Sequence, residues 1–186
     1  HRDLKPDNFV IGRTPETSSH LYLIDFGLSK RYIDPSNSEH IPECEGKSLT
    51  GTPRFASVHN HYGHEQSRRD DMESFFYMLL YFLKGKLPWM SLEQNAEYQK
   101  KSVHQKYRII GRQKRRFITK NIRVLCHSCP SVFLRTILHI NELNFFEEPL
   151  YGDLRNIFRN EFKEQQFEND AIFDWNRDLT IDDSLR

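Results

Sequence analysis

The sequence predicts a mainly α-helical domain with one short β-hairpin near its start, and three observations lead there. Two β-prone apolar runs, Phe9-Val10-Ile11 and Leu21-Tyr22-Leu23-Ile24, flank a polar connector from Arg13 to His20. Short runs of that kind around a Pro/Ser/Thr-rich connector read as a hairpin with a long, exposed tip. Downstream, apolar residues recur at helical spacing, most clearly over 71–83 and again over 132–140 and 154–167. Finally, 186 residues suffice for one domain with a sizeable core.

Composition narrows the class. An apolar fraction of 37%, a charged fraction of 28% and a net charge of +1 describe an ordinary soluble chain. No global field argues for a nucleic-acid or membrane partner. Three cysteines suit a reducing compartment better than a disulfide framework. The longest apolar runs, near Phe75–Leu83, fall short of the roughly 20 residues that span a bilayer, and no signal-peptide pattern opens the chain. A cytoplasmic or nuclear location is the expectation.

The chemistry is concentrated at the start. His1-Arg2-Asp3-Leu4-Lys5-Pro6-Asp7-Asn8 fits the protein-kinase catalytic-loop pattern H-R-D-L-x-x-x-N, and Asp25-Phe26-Gly27 follows immediately after the hairpin. A chance surface tripeptide could mimic either motif alone; eight matching residues with the second motif in order could not easily do so. Phosphoryl transfer requires positioning and charge neutralisation. In that arrangement Asp3 accepts the proton of the attacking hydroxyl, Lys5 contacts the transferring phosphate, and Asn8 and Asp25 hold Mg²⁺, hard oxygen ligands for a hard cation.

Residues 28 to 60 read as a loop region ending in Leu49-Thr50-Gly51-Thr52-Pro53-Arg54-Phe55-Ala56-Ser57. The A-P-E tripeptide common in kinases is replaced by Ala56-Ser57-Val58. Together with Ser67-Arg68-Arg69-Asp70-Asp71-Met72-Glu73-Ser74, Leu87-Pro88-Trp89 and Phe173-Asp174-Trp175-Asn176, this pattern closely resembles the casein kinase 1 family of Ser/Thr protein kinases. The resemblance runs from His1 to about Asn176. It implies a kinase-like C-lobe over residues 1–176 with the N-lobe absent, followed by a short tail at 177–186. It implies ATP bound by Lys5, Asn8, Val10 and Asp25, with Mg²⁺ at Asn8 and Asp25. Protein substrates that are acidic or already phosphorylated, and a monomeric full-length form, are implied as well.

The helix at Asp71–Leu83 is apolar nearly all round, which marks a buried helix. The resemblance makes it the central C-lobe helix, with Asp71 bonding the catalytic-loop backbone; a first-turn acid is the plain alternative for Asp71. Phe76 stands where the family usually has glycine. Gly85 and Pro88 end the helix. From Ser91 to Arg123 the chain is basic: Lys100, Lys101, Lys106, Arg108, Arg112, Lys114, Arg115, Arg116, Lys120 and Arg123. Such a run is either a solvated helix face or part of an anion-binding surface. The resemblance implies two anion sites, one of Arg54 with Lys106 and one of Arg2, Lys30 and Lys47. Two departures bear on the first: Met90-Ser91 replaces a polar pair, and about six extra residues separate Trp89 from Lys106.

Cys126-His127-Ser128-Cys129 has C-x-x-C spacing but no second pair to complete a zinc site, and the resemblance makes Cys126 a core position. Ser48 and Thr50 lie where many kinases carry an activating phosphate that pairs with a residue like Arg2; the resemblance implies activity without one. Phe173 and Trp175 are expected to plug the last helix against the lobe. There is no Gly-rich phosphate loop and no V-A-I-K lysine in the chain. Residues 1–186 alone are therefore expected to be inactive, to leave an apolar face of the 71–83 helix uncovered, and to be a piece of a longer kinase. A noncatalytic module that docks phosphopeptides is the alternative function.

Overall fold

The computed structural model describes residues 1–176, and the expected tail at 177–186 lies outside them. Strands β1 (Phe9–Ile11) and β2 (Leu21–Leu23) pair antiparallel, with Phe9 opposite Leu23 and Ile11 opposite Leu21. The hairpin and the helical body predicted from the sequence are both present. Beyond the hairpin the chain runs through α1 (Val58–His61), α2 (Arg68–Lys84), α3 (Ala96–Gln99), α4 (Val103–Lys120), α5 (Ile122–Leu125), α6 (Ser131–Glu142) and α7 (Tyr151–Glu164). No helix among the described residues is long and apolar enough to cross a membrane.

Helix α2 is the axle of the fold. It begins where the Asp70 carboxylate accepts from the Ser67 backbone N–H at 2.8 Å, satisfying a donor that the first turn otherwise leaves open. It ends at Gly85, whose left-handed backbone (φ 71°) lets its N–H close on Tyr81 O. The helix starts three residues before the predicted boundary because that cap lies in the polar Ser67–Asp70 stretch, invisible to apolar periodicity. Phe76, Tyr77 and Leu80 are buried in the main core, which also takes in Trp89, Ile110, Leu125, Cys126, Val132, Phe133, Ile137 and Ile140. Phe76, the residue found where glycine is usual, packs its ring 6.2 Å from that of Phe133 on α6.

The other face of α2 is less covered. Met72, Phe75 and Leu79 are half-buried and line a groove of about 720 Å³ with Ile140 of α6 and Leu154 and Phe158 of α7. The expected uncovered apolar face is therefore present. Helix α4 starts in a reciprocal cap, Ser102 Oγ accepting from Gln105 N and Gln105 Oε1 accepting from Ser102 N.

Two expectations need correction. Lys114 does not belong to a solvated basic face: it is fully buried, because α4 lays this position against the loop preceding α1. Trp175 does not plug the last helix. Its ring stacks on Phe173 at 4.7 Å, and its indole N–H donates to Ser18 O in the hairpin connector at 2.8 Å. An indole N–H turned against the protein takes an available acceptor, and the turn at 14–20 presents one.

Candidate active site

The catalytic-loop octet folds as an extended entry followed by a 3₁₀ turn at Pro6–Asn8, with Pro6 opening the turn where its missing N–H is harmless. Arg2 adopts a left-handed backbone, φ 69°. For a non-glycine residue that costs on the order of 1 kcal/mol and persists only where the surroundings impose it. Here Asp71 imposes it. From the first turn of α2 its carboxylate accepts from the backbone nitrogens of His1 at 2.7 Å and Arg2 at 2.9 Å. The expected contact between Asp71 and the catalytic-loop backbone is present.

The octet is then braced internally. Asn8, buried, donates from Nδ2 to Asp3 O at 2.8 Å, which leaves its Oδ1 as the acceptor end. Asn8 O in turn accepts from Ile24 N at 2.9 Å. This bond continues the hairpin ladder, so the residue after Ile24, Asp25, is brought alongside Asn8 although the sequence separates them widely. Asp25 is also left-handed (φ 60°), and its Oδ1 accepts from Gly27 N at 3.3 Å. The His1 ring lies edge-on to Phe26 at 5.2 Å and meets Ile24 O through Nε2 at 3.0 Å. Val10 is about two-fifths exposed on the hairpin, as are Ile11 and Ile24, and Phe26 is more open still.

Asp3 is the most constrained carboxylate of the group. Its Oδ2 meets Lys5 Nζ at 2.9 Å and its Oδ1 accepts from Thr52 N at 2.8 Å. Partial burial pushes its carboxyl up, but the hydrogen bonds from Lys5 and Thr52 together outweigh that and hold it below the usual carboxylate value. The same contact with Asp3 raises the Lys5 ammonium above its ordinary value. Asp3 is thus ionised, with one oxygen fixed by a backbone amide and the other shared with a cation.

Neither Thr52 nor Gly51 is given a site role by the sequence reading. Gly51 allows the approach: its φ is +88°, and a Cβ there would meet Arg2 O at 2.3 Å and Asp3 Oδ1 at 3.1 Å. Only glycine fits so close to the catalytic loop. Asn60, buried in α1, holds Thr50 from both sides, accepting from its N–H at 3.2 Å and donating to its carbonyl at 2.7 Å. The available signal was Gly51 followed at once by Thr52-Pro53, a punctuated loop in a region otherwise read only as a loop.

The basic residues expected to bind anions divide. Lys30 and Lys47 come together, but on a protein carboxylate: Glu65, nearly fully buried, takes Lys30 at 2.7 Å and Lys47 at 3.4 Å. Burial pushes the Glu65 carboxyl up, and Lys30, the Gln66 backbone N–H and Lys47 together more than reverse it. Arg2 and Lys30 line one cavity of about 430 Å³ with Tyr32, Ser67 and Asp71, while the Arg2 Nε donates to Leu28 O at 2.6 Å. Arg54 and Lys106 are not left facing one another. Arg54 NH2 is held by both oxygens of Glu93, at 3.0 and 3.1 Å, and Lys106 Nζ reaches Gln99 Oε1 at 3.4 Å. Glu93 and Gln99 both lie between Trp89 and Lys106, in the stretch that is about six residues longer than the resemblance leads one to expect.

Cys126 is a core residue as expected, its thiol pushed up to about 11 by burial first and by Cys129 second. Such a thiol is a poor nucleophile and a poor metal ligand.

Asn8 and Asp25 fit a hard divalent cation. An amide oxygen oriented by its own Nδ2 contact and an exposed carboxylate stand at adjoining ends of a paired ladder, open on the side of the hairpin. A family model for the protein kinase domain matches residues 1–143.

Proposed function

The chain belongs to the protein kinase family, and from that premise we propose that it is a Ser/Thr kinase of the casein kinase 1 type. In this reading Asp3 accepts the proton of a substrate Ser or Thr hydroxyl, and Lys5 stabilises charge on the transferring phosphoryl group. Asn8 and Asp25 hold Mg²⁺, and Val10 borders the nucleotide from the hairpin. Mg-ATP, when bound, supplies the phosphoryl group and neutralises its charge. The observation that carries the reading is the two-sided hold on Asp3, by Lys5 and by Thr52 N–H. A lysine two residues beyond the base favours Ser/Thr over Tyr acceptors.

Acidic or phospho-primed protein substrates are the proposed class. Arg2, Lys30 and Lys47 offer one site for their charge, and Arg54 with Lys106 a second, from which Glu93 must be displaced. The protein is taken to act as a monomer in the cytoplasm or nucleus, without nucleic-acid or membrane partners. Its loop is set without phosphorylation: Thr50 is already held by Asn60.

The test is phosphoryl transfer by the full-length protein from Mg-ATP to peptides carrying Ser, Thr or Tyr downstream of acidic residues. Labelled phosphoserine or phosphothreonine is expected. No transfer, with Mg-ATP bound, would identify a noncatalytic phosphopeptide-docking module instead; transfer to Tyr alone would overturn the Ser/Thr assignment.

A further inference from the structure

One ionisable cluster is left unused by this chemistry, and it lies under the loop that touches Asp3. Lys114 is 0% exposed. From α4 its Nζ donates to Pro53 O at 2.9 Å and, more closely still, to Ala56 O. Arg54 O, between those two carbonyls, accepts from the buried Trp89 indole at 2.8 Å, and the His61 ring meets Pro53 O at 3.0 Å. The ammonium sits 4.8 Å from the Tyr77 ring centroid and 5.0 Å from that of Trp89. Its charge partner is Glu73 of α2, also buried, which accepts from Tyr77 OH at 2.6 Å and from Val58 N at 2.8 Å.

A loop without secondary structure of its own must place its carbonyls somewhere. Here three of them, over 53–56, converge on side chains brought from α4, α1 and the turn at Trp89. Immediately before this anchored stretch, Thr52 N–H holds Asp3 Oδ1. A movement of the anchor therefore moves the amide that orients the proposed proton acceptor.

We propose that Lys114 is a positioning residue for phosphoryl transfer, fixing residues 52–56 so that Thr52 keeps the Asp3 carboxylate aligned with the incoming hydroxyl. Removing its donors frees Pro53 and Ala56 and lets Thr52 drift. Misplacement of about 1 Å in a reacting group costs about a hundredfold in rate. The substrate side of the reaction suffers, while Mg-ATP, held by Asn8, Asp25 and the hairpin, binds as before.

The proposal rests on the kinase reading for its kinetic part but not for its structural part, and two measurements on the full-length protein separate them. In Lys114→Met, amide hydrogen exchange is expected to speed at Thr52 and Phe55 by at least about tenfold relative to the amides of α2. Peptide turnover falls about ten- to a hundredfold with the KM for Mg-ATP unchanged. Lys114→Gln, which keeps an N–H donor, recovers part of both. Should the Met variant not fold, the Gln variant carries the same comparison against wild type. Three results overturn the proposal: Thr52 exchange that does not change, exchange that rises equally in α2 and the loop, or failure of both variants to fold, which makes Lys114 a stability residue only. A wild-type protein that shows the exchange pattern yet transfers no phosphate would leave the anchor standing and sink the kinase reading.

Discussion

Lys5 and Lys114 bracket the same loop and are used in opposite ways. Lys5 is partly exposed, pairs with the Asp3 carboxylate at 2.9 Å, and its contact with Asp3 raises it above an ordinary lysine. Lys114 is sealed from water, bonds carbonyls of Pro53 and Ala56, and burial drives its ammonium well below the ordinary value, Glu73 opposing. The difference is one of solvent. At the open cleft a cation keeps its charge and can meet a phosphate; inside the core it serves as a donor to two carbonyls, and its charge is a liability that needs a partner. The residue type therefore does not decide the role, and neither does membership in a basic run. Of the ten Lys and Arg residues between Ser91 and Arg123, Lys114 is the buried one, and it is the one that touches the catalytic neighbourhood.

Changes at the open end should cost activity alone, and changes at the buried end stability, with activity falling as well where the anchored loop is disturbed. Asp3→Asn in the full-length protein is expected to lower single-turnover phosphoryl transfer by about a thousandfold, with thermal unfolding nearly unchanged. A loss of less than tenfold would remove Asp3 from the chemistry. Asp70→Ala lies at the buried end. It deletes acceptors for Ser57 Oγ and Ser67 N, so denaturant unfolding should show a loss of about 2–4 kcal/mol. A loss under about 1 kcal/mol would show that the cap is dispensable.

The pH dependence of folding sharpens the contrast. His61 is held down to about 3, first by burial and then by Lys114. The folded state resists protonation that the unfolded chain accepts below about 6.5. Its stability contribution is complete above that pH and lost as pH falls toward 3, with a slope of up to about 1.4 kcal/mol per pH unit. Glu73 runs the other way. Burial raises it to about 7, so its contribution is complete below about 4.5 and is lost as pH rises through 7. Unfolding measured from pH 4 to 8 should lose the acid-side slope in His61→Asn and the neutral-side slope in Glu73→Gln. Parallel curves for wild type and variants would refute both assignments.

The smallest effect belongs to Glu93. It pairs with Arg54 across a half-exposed surface, where such pairs are worth little. Glu93→Gln should therefore lower the KM for a phospho-primed peptide about two- to fivefold and leave that for an unprimed one unchanged. Equal changes for both peptides would mean that Arg54 does not receive the priming group.

The sequence made the catalytic end legible because its contacts are local or follow one hairpin. His1–Asn8, Asp25–Gly27 and both strands lie within a short stretch, and α2, α6 and α7 repeat their apolar spacing over several turns. What stayed hidden depends on distant partners or on pieces too short to repeat. Helices α1, α3 and α5 are single turns, for which a 3.6-residue period has no second cycle to show itself. Trp175 finds its acceptor at Ser18, 157 positions away. Lys114 reads as one charge among many until α4 is laid against Pro53 and Ala56. Glu93 reaches Arg54 across 39 positions, so no local motif could announce that it would cap the arginine.

The contrast between the two lysines is tested most directly by measuring thermal unfolding and single-turnover transfer for Lys5→Met and Lys114→Met side by side in the full-length protein. Lys5→Met should keep its Tm within about 1 °C while losing about a hundredfold in transfer. Lys114→Met should lower Tm by about 5–10 °C, two buried carbonyls losing their donor and Glu73 its cation. A Lys5 variant that unfolds as early as the Lys114 variant, or a Lys114 variant as stable as wild type, would contradict the account.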